Sequence, residues 1–465
     1  MKRFFSAILL FVALVVAQNA SAQLKTSYFM EGSYFRTDLN PALTPTRGYV
    51  ALPLISEVSA GFYSNYASFE NMYFERNGEY VHGLDASVPA AEFLSNLPNS
   101  CVDYTNVNVG LFKWGFYTLN RTFYNFGVNY RLDSRSVLPK DYFKMMKGEY
   151  KDGINIEDMS MDLSQYIETY AGAAFHLGEH LTIGMRFKFL VGLQNGILNI
   201  NKMTVADGQY SVHGDIKVNS ITMDSSQYNI ETNPEIITND SFEFAKGNIN
   251  NYGGAIDLGA EMRLLNNKLK LSAAVTDLGY IKWSSKSQMA GTINWDVNEN
   301  ANIIDLIADF KVAEKAGSLY DYTTRLTTNV NIGAEYNFLG NHFALGLLSH
   351  TRIYNNAFAS EITTSFNVRP TNWFTVTASH TFLNGNTPGI YGAAINFHPR
   401  TVNIFLGMDY IGDSAASKYQ SAVLEEMNAN ISPKATSYNF YIGIGFNFGR
   451  PDWLVHKNGD EVETE

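Results

Sequence analysis

Ser379 stands directly before His380, a juxtaposition that reads as a nucleophile beside a base. Both lie in a run of alternating apolar residues, however, and neighbours in an extended strand point to opposite faces, so these two cannot act on one another. His350 and His398 fall on predicted inward faces, where solvated side chains are expected. Cys101 is the only cysteine in 465 residues, which excludes an internal disulfide. No Cys/His group has metal-ligand spacing, and no glycine-rich loop follows a strand and opens a helix. Asp207, Asp215, Asp224, Glu231, Glu235 and Asp240 are close in sequence but lack an ordered Asp-x-Asp-x-Asp-Gly series, so a solvated face is expected rather than a cation site. The sequence therefore predicts no enzyme, no metal and no cofactor. A net charge of -11 without a basic stripe argues against nucleic acid.

A different set of charges has a regular position. Strand parity puts Arg131, Arg186, Lys188, Asp257, Glu261, Arg263, Glu335, Arg352, Glu361, Arg369 and Asp409 on the faces opposite the apolar ones. Both signs are present, so these residues either line a channel or pair with one another and fill the interior.

The elements that hold them are strands. From Thr323 to Gly412 an alternation of period two repeats between short turns. Thr328, Val330, Ile332, Ala334, Tyr336 and Phe338 share one face, and Asn329, Asn331, Gly333, Glu335 and Asn337 the other. Leu181 to Gln194 does the same, with Ile183, Met185, Phe187 and Phe189 against Thr182, Gly184, Arg186 and Lys188. About fourteen strands are expected over residues 48–449, joined by short turns on one side, including Lys113-Trp114-Gly115, Gly178-Glu179-His180 and Asn266-Asn267. Long excursions lie on the other side, with helices expected near Ala90 to Leu97, Lys140 to Lys147 and Ile303 to Ala313, and Asn195 to Asn251 read as the longest loop. Aromatics at 14% suit the girdles of a membrane barrel.

Residues 1–22 read as a cleaved signal peptide, since Lys2 and Arg3 precede an apolar run and Ala20-Ser21-Ala22 follows it. No segment has the roughly 18 uninterrupted apolar residues of a helical span. An exported all-β chain in lipid has to close on itself, because an open sheet edge finds no hydrogen-bond partner there. The expected fold is a transmembrane antiparallel β-barrel in the outer membrane, with long extracellular loops. Residues 23–47 are expected as a plug in its lumen, because Pro41 and Pro45 keep this segment out of the sheet and so wide a ring needs a filling. Residues 450–465 are expected as a periplasmic tail.

Asn40-Pro41-Ala42, early in the exported chain and ahead of about fourteen strands, resembles the long-chain fatty-acid transporter (FadL-like) superfamily of outer-membrane proteins, in particular its uncharacterised Bacteroidota branch. That resemblance implies a lumen plug and passage of hydrophobic ligands by way of the barrel wall. Two classes of function stay open: a transporter or channel for small, hydrophobic or other, molecules, and a scaffold that binds a surface or periplasmic protein, as secretion-associated members of that superfamily do. Outer-membrane lipid is the one partner expected on either reading.

Overall fold

A computed structural model describes residues 25–52, 56–67, 69–149, 153–206, 209–221, 249–297, 320–353, 358–383, 390–409 and 436–449. The expected signal peptide, the helix expected at Ile303 to Ala313 and the tail 450–465 lie outside the described residues.

The wall begins with an interrupted strand, β1 (Gly48–Ala51) and β2 (Glu57–Ser64). An outer hairpin follows, β3 (Tyr73–Arg76) with β4 (Glu79–His82). Next come β5 (Ser100–Tyr117), β6 (Thr122–Pro139), β7 (Ile154–Leu177), β8 (Leu181–Ala206) and β9 (Gln209–Ser220). They are followed by β10 (Tyr252–Leu264), β11 (Leu269–Trp283), β12 (Gln288–Val297), β13 (Tyr322–Arg325) and β14 (Thr328–Phe338). The remainder are β15 (Phe343–Ile353), β16 (Phe358–Thr371), β17 (Phe374–Leu383), β18 (Ile390–Phe397), β19 (Val402–Met408) and β20 (Thr436–Phe448).

Each wall strand pairs antiparallel with the next, and β20 pairs back onto β1 and β2, with Tyr49 opposite Asn447 and Val58 opposite Ile442. With β1 and β2, and likewise β13 and β14, taken as single interrupted strands, and with β9 and β12 set aside because β8 pairs past them with β10 and β11 with β13 and β14, the closed ring has fourteen members. Its outer face is apolar: Ile183, Met185, Phe187, Phe189, Leu258, Leu345 and Ile362 are all exposed. A continuous apolar face around a closed sheet is a lipid face, since a soluble protein rarely shows apolar patches of this extent. Short turns gather on one side, and Leu265, Asn266, Asn267, Leu339 and Asn341 adopt the left-handed backbone that such tight reversals require.

The structure departs from the sequence reading in two places. The first hairpin turns at residues 118–121, not at Lys113-Trp114-Gly115: β5 pairs with β6 as far as Tyr117, and an irregularity between Gly110 and Phe112 reverses the strand's parity on the way, so that Lys113 faces inward. The excursion expected over Asn195 to Asn251 begins as strand: β8 runs on to Ala206, pairs with β9, and β9 pairs with β12 in an extension beyond the ring. The helices expected near residues 90 and 140 form at Ala90–Ser95 and Lys140–Met146, each behind a proline.

Ile183 is 40% exposed on the outer face. Ile183→Arg should cost about 2–4 kcal/mol of barrel stability, read as a lower assembled fraction in unboiled gel electrophoresis.

Candidate functional site

The site is the filled lumen. Residues 25–47 contribute no strand to the ring; Lys25–Ser27 and Phe35–Asp38 are short 3-10 turns, and almost every side chain between them is buried. Pro41 and Pro45 deny the segment ladder donors. Asn40 sets the tightest bend: its Oδ1 accepts from the Ala42 N–H at 2.9 Å, while its Nδ2 donates to the wall carbonyls of Ala260 and Ala273, each at 3.4 Å. The wall is hollowed to receive this bend. A Cβ on Gly184 would lie 2.3 Å from the Pro41 carbonyl carbon, and one on Gly259 would lie 2.0 Å from Asn40 Oδ1. Gly346 makes the same room for Phe29, and Gly445 for Tyr34.

Apolar packing joins the segment to the wall. Tyr28, Phe29, Met30, Tyr34, Phe35, Leu39 and Leu43 form one cluster with the wall residues Tyr49, Phe123, Leu348, Phe405 and Tyr441. Tyr34 stacks on Tyr49 at 4.5 Å between ring centroids.

Charge contacts then fix the segment in place. Asp409 caps its start, accepting from the backbone N–H groups of Lys25 (3.2 Å) and Thr26 (3.1 Å) and from Asn439 Nδ2 (2.5 Å). The Lys25 ammonium pairs with Glu361, which also holds Arg352, and Glu31 pairs with Lys270. Arg369 bonds Glu335 at 2.5 Å and the Phe29 carbonyl at 3.0 Å. Asp38, at the other end of the segment, takes Lys113 Nζ at 2.5 Å and Arg186 Nη1 at 2.6 Å, and Lys113 also pairs with the buried Glu57. Burial works against the charged form of Asp38, but the Lys113 ammonium and the Arg186 guanidinium outweigh it and hold the carboxyl below the usual carboxylate range. The sign follows directly: the Asp38 contribution to this latch is fully present above the ordinary carboxylate value of about 4 and is lost only as pH falls toward the depressed value.

Beside the latch lies a second network. Lys188 Nζ is 2.6 Å from Asp277, 3.0 Å from Asp257 and 3.5 Å from Glu168, and Arg131 joins Glu168 (3.2 Å) to Asp277 (3.4 Å). Asp277 is a non-glycine residue at φ +60°, held there by its own N–H donating to Asp257 Oδ1 at 2.8 Å. It sits where β11 changes partner, from β14 up to Thr276 to β13 from Tyr280 onward. Backbone strain kept at such a point is stabilised by the charges it serves.

The sequence-predicted inner charges thus separate into groups. Glu335, Arg352, Glu361, Arg369 and Asp409 hold or surround the plug's first half, Arg186 holds its end, and Arg131, Lys188 and Asp257 belong to the second network. Glu261 and Arg263 pair with each other at 2.9 Å. The two histidines expected to be solvated are dry instead, because the plug occupies the space water would fill. His350 is fully buried against Asn331 (2.7 Å), and the His398 ring lies against Gly32. Ser379 points inward, 2.5 Å from Thr26 Oγ1, while His380 packs outside between Phe382 and Tyr391.

Lys113, Glu57, Glu168, Lys270 and Asp277 were not among the predicted residues, and neither were the plug's own Lys25, Glu31 and Asp38. The sequence expectation places Lys113 in a turn, although the outward aromatics Trp114 and Phe112 on either side of it mark it as inward. Above the plug, on the side of the long loops, a chamber of about 60 Å³ remains, floored by Asp38 and Leu39 and walled by Asp133, Asn108, Asn329 and Arg131 among others.

Residues 41–409 match the model of a family of unknown function, DUF5723, and the chain belongs to that family. No curated protein matches it in sequence. Among solved structures it is similar to the P. putida toluene transporter TodX, at 7% identity and a TM-score of 0.39, over 90% of this chain and 95% of that one. A Pseudomonas aeruginosa FadL homologue gives 9% identity and 0.40, over 93% and 100%. The translocator domain of the autotransporter NalP from Neisseria meningitidis gives 8% and 0.35, over 91% and 97%. At such identities nothing about those proteins' cargo passes to this chain.

Strand parity alone would make Gly184→Ser mild, but the plug backbone occupies the space of the new side chain. The substitution should leave the ring assembled and heat-modifiable while residues 25–47 become open to protease. Lys113→Met should loosen the same segment, because it leaves Glu57 buried without its cation, a change that typically costs about 3–5 kcal/mol; faster hydrogen exchange over residues 35–43 is the expected readout.

Proposed function

We propose that this DUF5723 protein is an outer-membrane channel for small molecules, closed by its own N-terminal segment. One observation carries the reading: the lumen is filled by a piece of chain that shares no ladder with the wall and is held by side-chain contacts, the Asp38, Lys25 and Glu31 ion pairs foremost. A barrel that served only as a scaffold has no need of a separable filling. The inner wall is polar around and above the plug, with Asn, Ser, Thr and paired charges at most inward positions. That favours polar solutes over the hydrophobic cargo that the FadL-like resemblance implies.

Removing residues 27–46 should open the lumen and raise ion conductance in planar bilayers without preventing assembly. Thr26 and Ser379 offer the converse test, since their hydroxyls lie 2.5 Å apart. A Thr26→Cys/Ser379→Cys pair should stay closed when oxidised and regain its solute flux on reduction. If the deletion conducts no better than the intact chain, or if oxidation of the cysteine pair leaves flux unchanged, the plug is not a gate. The scaffold reading would then stand in its place.

A further inference from the structure

On its lipid face the wall is stepped where β11 changes partner. β11 pairs with β14 as far as Thr276 and with β13 from Tyr280 onward. Two isolated bonds cross between those ladders: the Leu326 N–H donates to the Gly279 carbonyl at 3.0 Å, and Thr328 Oγ1 donates to the Asp277 carbonyl at 3.3 Å. The step leaves a trough of about 1140 Å³, sided by Phe187, Ile256, Leu278, Tyr280 and Ile353 and passing over Gly254 and Gly279. A Cβ on Gly254 would meet nothing nearer than the Lys188 carbonyl oxygen, at 3.6 Å. Gly254 therefore differs from the glycines at 184 and 259, whose missing side chains are replaced by the plug. The space beside it is taken by no part of the described chain.

The depth of the trough follows from β11, which starts at Leu269 beside the short turns. At about 3.3 Å per residue and a tilt of about 40°, the climb from there to Tyr280 is roughly 28 Å, against an apolar band about 25 Å tall. Tyr280 thus stands at the outer edge of the hydrocarbon, as does Tyr252 one strand away, both exposed as interfacial aromatics are. The rim above the trough is built in register. Gly254, Tyr280 and Arg325 form one row across three strands, and Tyr252, Lys282 and Thr323 form the next row outward. Arg325 is exposed beside Tyr280, and among the described residues its guanidinium has no hydrogen-bond or ion-pair partner. Lys282 pairs with Asp321 at 2.8 Å, but both side chains are well exposed, so this bridge is weak and open to competition. At the head-group level, then, two cations stand against one carboxylate, directly over an unfilled apolar trough.

We propose that the trough is the seat of one anionic, phosphate-bearing lipid of the outer leaflet, with an acyl chain lying over Gly254 and Gly279 and the phosphate held by Arg325 beside Lys282. A guanidinium offers a phosphate two parallel N–H donors, which an interfacial position leaves free to act. The site belongs to the lipid face, so it stands or falls independently of whether the lumen conducts.

The test uses the full chain folded in detergent and given dioleoylphosphatidylglycerol or dioleoylphosphatidylcholine, which share their chains while only the first is net anionic. Native mass spectrometry should show one phosphatidylglycerol held per barrel at collision energies that strip phosphatidylcholine. Arg325→Gln should lower the affinity for phosphatidylglycerol about fivefold, the usual effect of one cation at an anionic lipid surface. Gly254→Leu, which fills the trough and leaves the rim intact, should lower it at least as much, and sn-glycerol 3-phosphate in large excess should not displace the lipid. Equal retention of both lipids, or unchanged retention in the two variants, would overturn the assignment. So would loss in Arg325→Gln with full retention in Gly254→Leu, or displacement by glycerol phosphate, since either makes the rim an anion site with no chain in the trough. Should Gly254→Leu fail to assemble, the glycerol phosphate competition decides the role of the chain.

Discussion

Hydrocarbon gives a backbone amide nothing to bond, and most of this molecule follows from that. Each strand must find a partner on both sides, so the ring closes through β20 and the split first strand. A ring of fourteen strands encloses more space than wall side chains alone can fill. The inward face, shielded from lipid, is free to be polar, and its charges lie in a space from which water is largely excluded. Those charges are tolerable only when paired, and the N-terminal segment supplies many of the partners.

The two kinds of contact between plug and wall do different work. The aromatic cluster around Tyr34, Phe35 and Phe405 gives area but little direction. The ion pairs at Lys25, Glu31 and Asp38 fix position along the barrel axis, one toward each part of the segment. Glycines at 184, 259, 346 and 445 finish the fit by removing side chains where the plug comes closest. Contacts of this sort are numerous but individually exchangeable, which is what the proposed gating would require.

Much of the wall was legible in the sequence, because lipid enforces alternation so strictly that Ile183 and Gly184 declare their faces without help. The inward charges were legible for the same reason, at Arg186, Glu335 and Arg369. What parity could not give was pairing across the lumen, since Asp38 and Lys113 are 75 residues apart in sequence and meet only when the ring closes. A single bulge after Gly110 hid Lys113 by reversing the parity of the strand beyond it. The bulge at Ile256/Leu258 and the left-handed backbone of Asp277 similarly concealed Asp277's place in the second network, because irregular backbone is where a period-two reading breaks. Alternation gives Gly184 its face but not the Pro41 backbone that lies against it.

Tyr34 lies at the seam where the chain's two ends meet. It stacks on Tyr49 of the first strand, its ring occupies the space beside Gly445 of the last, and its hydroxyl bonds the Ser56 carbonyl in the gap between β1 and β2. Joining Gly48 to Phe448 closes a loop of about 400 residues, for which chain entropy alone sets a penalty on the order of 5 kcal/mol. The residue that helps offset that penalty belongs to the stopper rather than to the wall. Shutting the cylinder and seating its stopper are therefore coupled stages of biogenesis, and a newly made barrel that has not threaded its own leading end is also one whose last joint is weakest.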